Sequence, residues 1–255
     1  MTFLLDPYAA RSCPVKTFNA FDPGTPKPEK PLDESLLEAF SGGSEFRESM
    51  LEALCRADDV VDLHDEGHNP AKTLAAMETG APVIVGGCLP VDVTGHRTGC
   101  PDALVRGDDR PGGRPGYWPL RVKPYRLLEK QHNAKELRAS AIGSPTTLEP
   151  LPGFRFRSYR QGVLLELAHH WRLLQACGRA ATTPVAGVIG FDDHRKGMIV
   201  WVPLELRFLR TFSRTSANGY RLRSALERYD HEHGFRVHVA QQAMIREPDD
   251  PRPPA

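Results

Sequence analysis

The sequence contains no long apolar run, no C-x-x-C pair and no excess of charge of one sign. Without an apolar run of membrane-spanning length, no transmembrane segment and no membrane partner are expected. Lysine and arginine number 33 against 32 aspartates and glutamates, so no global field draws the chain to nucleic acid, and any basic surface must be local. The N-terminal residues lack the basic start and apolar run of a secretory signal, which predicts a cytoplasmic protein.

The five cysteines are scattered and odd in number. Together with the missing signal, this pattern predicts reduced thiols in a cytosolic protein. One spacing, His64 to His68, superficially resembles a metal motif. The glycine and the Asn-Pro pair beside it indicate a loop rather than a helix, so the spacing by itself does not predict a zinc site.

Apolar periodicity and turn residues predict alternating helices and strands. Helical period extends from Leu32 to Arg56, and Gly42-Gly43 is expected to divide it into two helices. Further helices are expected at residues 70–79, where Asn69 is a plausible N-cap, and at residues 158–177. The predicted strands cover residues 60–63, 82–89, 103–105, 117–122, 185–191 and 198–204. We expect residues 130–152 to form a polar excursion and residues 211–235 to form a basic helix or helix pair.

This order of elements predicts an α/β or α+β core, in which a small mixed sheet is flanked by helices. The length suits one domain, which we place at residues 1–245. A proline-rich loop is expected at residues 22–31, and a flexible tail at residues 246–255.

Residues 99–125 contain the clearest candidate site. Two strand runs flank a loop rich in glycine, proline and aspartate, which predicts a long hairpin. Because strand side chains alternate between faces, Arg121 and Lys123 are expected on one face, where Asp102 of the preceding run could meet them. In the alternative interpretation, Asp102 only closes a turn and Lys123 is only an edge-strand charge.

A Pro-Asp pair, a hairpin and a strand ending in x-Val-Lys resemble the core layout of the PD-(D/E)XK nucleases. The chain resembles RecB-like, Cas4-related nucleases of actinobacterial type over about residues 4–240. The resemblance depends on YAARSCPVKTFNAF, GAPVIVGGCLP with GCPDALVR, YWPLRVKPYR, LAHHWRLLQACG and RTFSRTSANGYRLRSALERYDHEHGFRV. It implies a restriction-endonuclease-like core and Mg²⁺- or Mn²⁺-dependent hydrolysis of DNA in repair, processing or defence.

The resemblance also implies roles for single residues. Asp102 matches the metal-binding aspartate, and Lys123 matches the lysine that positions the attacking water. Arg121 stands where the family has a second acidic ligand, and it cannot serve as one. On the first core helix, where a histidine or glutamate often completes the metal site, Arg47 occupies that position. Its neighbour Glu48 is the substitute metal ligand.

The later helix of the family usually carries Gln-x-x-x-Tyr, and here the same spacing holds Glu166 and His170. This spacing places both side chains on one helix face, which belongs either to the catalytic cleft or to a solvated surface. Glu166 is, after Glu48, the second candidate to replace the acidic metal ligand that is missing at Arg121. Related enzymes hold an iron–sulfur cluster with one N-terminal cysteine, which Cys13 could match, and three C-terminal cysteines. Because Cys177 is the last cysteine and lies within a predicted helix, no such cluster is expected.

The change from carboxylate to guanidinium alters the expected chemistry. Mg²⁺ prefers oxygen ligands, commonly one or two carboxylates. A positive charge about 4 Å from a dication repels it by several kcal/mol at an effective dielectric constant of about 20. Arg121 is therefore expected to bind phosphate or, as the favoured alternative, to pair with Glu166 or Glu48.

Three functional hypotheses follow from these residues. The first is a RecB-like nuclease-family protein that acts on DNA with impaired hydrolysis. The second is a catalytically inactive nuclease fold that binds DNA or a protein partner, and the least favoured is a purely structural subunit. Arg214, Arg221 and Arg223 are the candidate nucleic-acid-binding residues, although interleaved acids such as Glu227 could equally make that surface neutral.

Overall fold

A computed structural model describes residues 2–26, 34–192 and 197–246, with side chains undescribed for residues 34–42. The predicted proline-rich loop at 22–31 extends beyond the described residues, and the predicted tail at 246–255 lies almost wholly outside them. Within the described ranges, no helix combines the length and apolar character that a membrane crossing requires.

Helices and strands alternate along the described parts of the chain. The α-helices in these ranges are α1 (Pro14–Phe21), α2 (Glu34–Cys55), α3 (Pro70–Glu78), α4 (Gln161–Ala176) and α5 (Ala225–Met244). The strands are β1 (Val60–Asp62), β2 (Val83–Val85), β3 (Ala103–Arg106), β4 (Tyr117–Val122), β5 (Leu128–Lys130), β6 (Arg138–Ala141), β7 (Glu149–Pro150), β8 (Phe154–Phe156), β9 (Val185–Ile189), β10 (Met198–Pro203), β11 (Leu209–Phe212) and β12 (Tyr220–Arg223).

One mixed sheet organises these elements, in the order β1-β2-β3-β4-β9-β10-β6-β7. Strands β2, β3 and β4 form an antiparallel meander. Strand β9 then returns parallel to β4 after the chain passes through α4, which is the connection that parallel neighbours require. The sheet and its helices confirm the predicted mixed α/β class, although with eight described strands the sheet is larger than expected.

Both faces of the sheet are buried, because alternate residues of its central strands enter different apolar clusters. Val83 and Val85 of β2 belong to one cluster, together with Leu51 of α2. Ile84, between them, belongs to a second cluster with Met77 of α3. Helix α4 contributes to both clusters and is buried along most of its length. This continuous burial fixes the orientation of α4 against the strands that carry the candidate site.

The predicted break at Gly42-Gly43 is wrong, because α2 continues through both glycines. A glycine inside a helix costs about 1 kcal/mol relative to alanine. The buried side chains of Leu51 and Leu54 dock the C-terminal half of α2 on the sheet. Tertiary packing therefore outweighs the local preference.

The predicted excursion at residues 130–152 also requires correction, because β6 within it joins the main sheet. Strand β6 pairs antiparallel with β10, with Ala139 opposite Val200. The strand reads Arg-Ala-Ser-Ala and carries little apolar signal. Its partner lies about 60 residues later in sequence, so local pattern could not reveal the pairing.

The basic helix predicted at residues 211–235 is instead a hairpin followed by a helix. Strands β11 and β12 pair across a turn that ends at Gly219, which has a positive φ of 70°. Helix α5 begins after Ser224, whose side chain forms a reciprocal capping box with Glu227. Both the Asn-Gly turn and the Ser-x-x-Glu box are sequence signals for this arrangement.

Candidate functional site

Asp102 immediately precedes β3, and the antiparallel pairing of Ala103 with Leu120 brings it beside Arg121 of β4. Arg121 and Lys123 lie two residues apart, so their side chains leave the strand on the same face. Both contact Glu166 of α4, which packs over that face. The structure thus brings together four of the residues that the sequence singled out: Asp102, Arg121, Lys123 and Glu166.

Arg121 bridges the two carboxylates of this site. Its Nη1 lies 3.2 Å from Oδ1 of Asp102, and its Nη2 lies 3.3 Å from Oε2 of Glu166. A guanidinium can make these two contacts at once because its donors form a rigid planar fork. Of the two roles expected for Arg121, the contacts correspond to the ion pair with Glu166.

Asp102 is buried, and both of its carboxylate oxygens accept hydrogen bonds. The Oδ2 atom accepts from the backbone N–H of Val122 at 2.7 Å. The Oδ1 atom accepts from Nε of Arg47 at 2.7 Å, in addition to Arg121. The interpretation in which Asp102 only closes a turn does not describe these long-range contacts.

Glu166 is fully buried, so the alternative of a solvated helix face is wrong. Its Oε2 accepts from Nζ of Lys123 at 2.8 Å, and its Oε1 pairs with Arg11. Burial lowers the pKa of Lys123, while the adjacent Glu166 raises it and Arg121 lowers it further. The lysine is therefore a partner of Glu166 inside the fold.

His170 is also fully buried, and neither of its ring nitrogens has a hydrogen-bond partner among the described residues. Burial holds its pKa well below the usual value, and the positive charges of Arg121 and Lys123 act in the same direction. A Cβ added to Gly99 would lie 3.2 Å from its Nε2. His170 is thus a neutral ring packed closely behind the cluster.

The structure does not bring Glu48 to this cluster. Glu48 is exposed and accepts a hydrogen bond from Ser44 at 2.9 Å, one turn earlier on α2. Its neighbour Arg47 points to Asp102 instead. The first core helix therefore contributes a cation where the predicted metal site needs an acid.

The residues Arg11, Arg47, Arg121, Lys123, Asp102 and Glu166, which we call the ion-pair cluster, carry a formal excess of positive charge. Its four cations exceed its two carboxylates by two charges. Every oxygen of both carboxylates already accepts from an N–H donor of the protein. Since Mg²⁺ and Mn²⁺ need carboxylate oxygens that face the ion, this donor set does not fit either metal.

A group of tyrosines and arginines borders the cluster, which we call the tyrosine–arginine rim (Tyr8, Arg11, Tyr125, Tyr159 and Arg160). Arg11 lies 4.9 Å from the ring centre of Tyr8, and Arg160 lies 4.0 Å from that of Tyr125. Tyr8 and Tyr159 are 51% and 61% exposed. The rim as a unit was not predicted from the sequence, because its residues come from three separate segments that only the fold assembles.

The predicted nucleic-acid-binding arginines lie on the β11–β12 hairpin, which we call the arginine ribbon. Arg214 and Arg221 are exposed, and Arg223 is half-buried. Within the described part of the chain, none of the three forms an ion pair. Glu227 instead pairs with Arg207 at the base of the ribbon, so the interleaved acids neutralise only part of this surface.

The expectation of five reduced thiols is wrong, because Cys88 and Cys100 form a disulfide. The register that pairs β2 with β3 continues beyond the strands, through the hydrogen bond from Leu89 to Gly99. Cys88 and Cys100 are therefore cross-strand neighbours. Their pairing follows from a register that spacing alone does not reveal.

A second buried polar network, also missed from the sequence, connects α4 with α5. His169 forms hydrogen bonds of 3.0 Å to the carbonyl oxygen of Thr98 and to the hydroxyl group of Tyr229. The Nε2–H group of His233 donates a hydrogen bond of 2.8 Å to the carbonyl oxygen of Gly95. Burial lowers the pKa of His169 to about 3 and that of His233 to about 4. This network stabilises the packing of the two helices with neutral imidazoles.

Comparison with protein-family models, curated proteins and solved structures gives no match for this chain. The fold and the site define a mixed α/β protein with a buried ion-pair cluster at the junction of β3, β4 and α4. The resemblance to RecB-like nucleases remains a prediction from sequence motifs.

Proposed function

We propose that this chain is a catalytically inactive, nuclease-like protein that binds DNA. The observation that carries the proposal is the bridge that Arg121 makes between Asp102 and Glu166. Metal-dependent phosphodiester hydrolysis needs a cation that polarises the phosphate and generates the nucleophile. In this protein the two acids that would hold the cation hold a guanidinium.

The topology supports the nuclease-like part of the proposal. An antiparallel meander of β2, β3 and β4, followed by α4 and the parallel strand β9, agrees with the core that the sequence motifs imply. Asp102 and Lys123 flank neighbouring strands of this core, Asp102 just before β3 and Lys123 just after β4, which is compatible with the nuclease layout.

Electrostatics disfavours a divalent metal in the cluster. At an effective dielectric constant of about 20, a unit charge about 4 Å from a dication contributes roughly 8 kcal/mol of repulsion. Two carboxylates could offset this, but they already interact with four cations of the protein. A metal would have to displace Arg121 from a site in which its side chain is largely buried.

The same charge excess favours a phosphate. Arg11 and Arg47 are 36% and 42% exposed, so the cluster presents these two cations to solvent and its carboxylates to the interior. Guanidinium groups bind phosphate with two parallel hydrogen bonds. A phosphodiester could therefore approach the outer edge of the cluster without displacing the buried contacts.

The tyrosine–arginine rim supports nucleic acid as the source of that phosphate. Exposed Tyr8 and Tyr159 offer aromatic faces beside Arg11 and Arg160. Aromatic faces combined with a basic surface are typical of proteins that bind unpaired bases, since every base can stack. The arginine ribbon supplies a further basic surface that can contact the backbone.

Binding to fluorescently labelled single-stranded and double-stranded DNA tests the proposal. We expect affinity that falls as salt increases, and we expect no Mg²⁺- or Mn²⁺-dependent cleavage of either substrate. Tyr159→Ala and Arg160→Gln should weaken binding to DNA. Arg56→Gln is the matched control, because Arg56 is exposed and belongs neither to the rim nor to the arginine ribbon.

Two outcomes would contradict this proposal. Robust cleavage that disappears in the Lys123→Ala variant would demonstrate an active metal-dependent nuclease. A flat salt response, or no binding at low salt, would instead favour a protein partner. The exposed Phe212 and Leu222 on the arginine ribbon are the observation that favours this second candidate function.

A cytoplasmic location is a further part of the proposal.

A further inference from the structure

Cys88 and Cys100 lie beside a third potential metal ligand, the imidazole of His68. Its Nδ1 is 3.4 Å from Sγ of Cys100. Among the residues that the structure describes, these three side chains are the group whose ligand atoms all lie within 4.8 Å of one another. The sequence separates them into three segments, and the His64–His68 spacing gave no sign that the partners of His68 are cysteines.

The group has an inner and an outer side. Cys88 is buried, Cys100 is partly buried, and His68 is exposed. The backbone N–H of Cys88 donates to Thr73 Oγ1 at 3.0 Å, which fixes the inner side against α3. The exposed imidazole leaves an entry path from solvent, so an ion can reach the sulfurs from that side.

We propose that reduction of the Cys88–Cys100 disulfide creates a Zn²⁺ site formed by the two thiolates and His68. Thiolate sulfur and imidazole nitrogen are the ligands that zinc prefers, and water can occupy the fourth tetrahedral position. With Zn–S bonds of about 2.3 Å, the two sulfurs of a tetrahedral site lie about 3.8 Å apart. They cannot be bonded to each other and to zinc at the same time, so the disulfide and the zinc site exclude one another.

Reduction of the Cys88–Cys100 disulfide requires two electrons, which a phosphine or a thiol reductant can supply. A phosphine cleaves the S–S bond, takes an oxygen atom from water to become the phosphine oxide, and leaves two thiols. In a cell, a dithiol could supply the same two electrons by exchange while it becomes a disulfide. Zn²⁺ then displaces both thiol protons to the solvent, so zinc binding becomes stronger as pH rises.

This site differs in charge from the neighbouring ion-pair cluster. The carbonyl oxygen of Cys100 is 3.5 Å from Nη1 of Arg121, so the backbone of this cysteine contacts the ion-pair cluster. The two thiolates would cancel the charge of the bound Zn²⁺. The carboxylates of Asp102 and Glu166, in contrast, are already paired with cations of the protein.

Cys55 is the obvious competitor for zinc, because its Sγ lies 3.5 Å from Oδ2 of Asp62, which also contacts His64. Burial, with the adjacent Asp62, raises the pKa of the Cys55 thiol to about 11. Deprotonation of this thiol is correspondingly costly. The Cys55→Ser variant is therefore the matched control for a cysteine that does not form the site.

The experiment is zinc titration of the full-length protein against a chromophoric chelator, before and after reduction with a phosphine. The reduced wild type should bind one equivalent of Zn²⁺, and the oxidised protein should not. Cys100→Ser should lose this equivalent, and Cys55→Ser should retain it. His68→Asn should weaken binding, and because His68 is exposed, this variant should keep the wild-type circular dichroism spectrum.

Several results would overturn the proposal. They are equal zinc binding before and after reduction, retention of the equivalent in Cys100→Ser, its loss in Cys55→Ser, or unchanged affinity in His68→Asn. Mass spectrometry of alkylated peptides adds a readout that does not depend on zinc. The peptides of Cys88 and Cys100 should be cross-linked before reduction and protected from alkylation by Zn²⁺ after it, and failure of either result also contradicts the site.

Discussion

Arg121 of β4 lies beside Asp102, the residue that precedes β3, and Nη1 of the arginine is 3.2 Å from Oδ1 of the aspartate. The arginine also reaches Glu166, so one side chain occupies the space between two buried acids. The protein thus compensates its buried negative charge with its own cations. This relationship leads to the first two predictions.

Arg121→Asp should create affinity for Mn²⁺. The substitution replaces a repulsive charge with a third carboxylate beside Asp102 and Glu166, and oxygen ligands of this type suit the ion. Isothermal titration calorimetry should detect Mn²⁺ binding that the wild type lacks. Arg155→Asp makes the same change of charge at an exposed position and should produce no such gain. Absence of Mn²⁺ binding in both variants would mean that the cluster cannot form a cation site.

Arg121→Met should destabilise the fold by about 3 kcal/mol, because removal of one partner from a buried ion pair leaves charge uncompensated. Arg47 and Lys123 remain as partners of the two acids and limit the loss. Urea unfolding measures the change in the free energy of unfolding. Arg155→Met, which breaks an exposed pair with Glu129, should cost less than about 1 kcal/mol. Equal losses in the two variants would argue against a structural role for the bridge.

The buried histidines should make the protein less stable in mild acid. The pKa values of His169 and His233 are lowered from 6.5 to about 3 and about 4, so the unfolded chain binds more protons in this window. The contribution of the neutral histidines to the free energy of unfolding should be complete above pH 6.5 and should decrease as the pH falls towards 4. Between the two pKa values, each histidine should lower the free energy of unfolding by about 1.4 kcal/mol for every pH unit of acidification.

Urea unfolding at a series of pH values measures this slope. His233→Asn should reduce it by the contribution of one histidine, since asparagine does not titrate. His238→Asn is the control, because His238 is exposed on the same helix and should leave the slope unchanged. An identical slope in both variants would contradict the assignment to His233.

The arginine ribbon should contribute to the salt dependence of DNA binding. If Arg221 contacts a phosphate, Arg221→Gln should reduce the slope of log affinity against log salt by about 1. The control is Arg56→Gln, because Arg56 directly follows α2 and its side chain is 75% exposed. Fluorescence anisotropy over a range of salt concentrations gives both slopes. Equal slopes for Arg221→Gln and the wild type would exclude Arg221 from the interface.

Much of the site could be predicted from the sequence because strand alternation is a local property. The hairpin of β3 and β4, and the common face of Arg121 and Lys123, follow from a pattern with a period of two residues. Asn69 caps α3 and accepts from the backbone N–H of Lys72, as expected. The Asn-Gly turn and the capping box before α5 were also present in the sequence, but the helical interpretation of that segment overlooked them.

Other features depend on contacts between distant segments, which no local pattern encodes. Arg11 meets Glu166 across 155 residues of sequence, and β6 acquires its place only through pairing with β10. Cys88 and Cys100 are neighbours only because β2 and β3 adopt one particular register.

By itself, the sequence determined the mixed α/β class and the common face of Arg121 and Lys123, where Asp102 was expected to meet them. Tertiary structure decided that Glu166 is buried and bridged by Arg121, and that His68 lies beside two cysteines. The physical reason is that periodicity specifies which face a side chain occupies. The partner that it meets there is selected by packing and by the need to compensate buried charge.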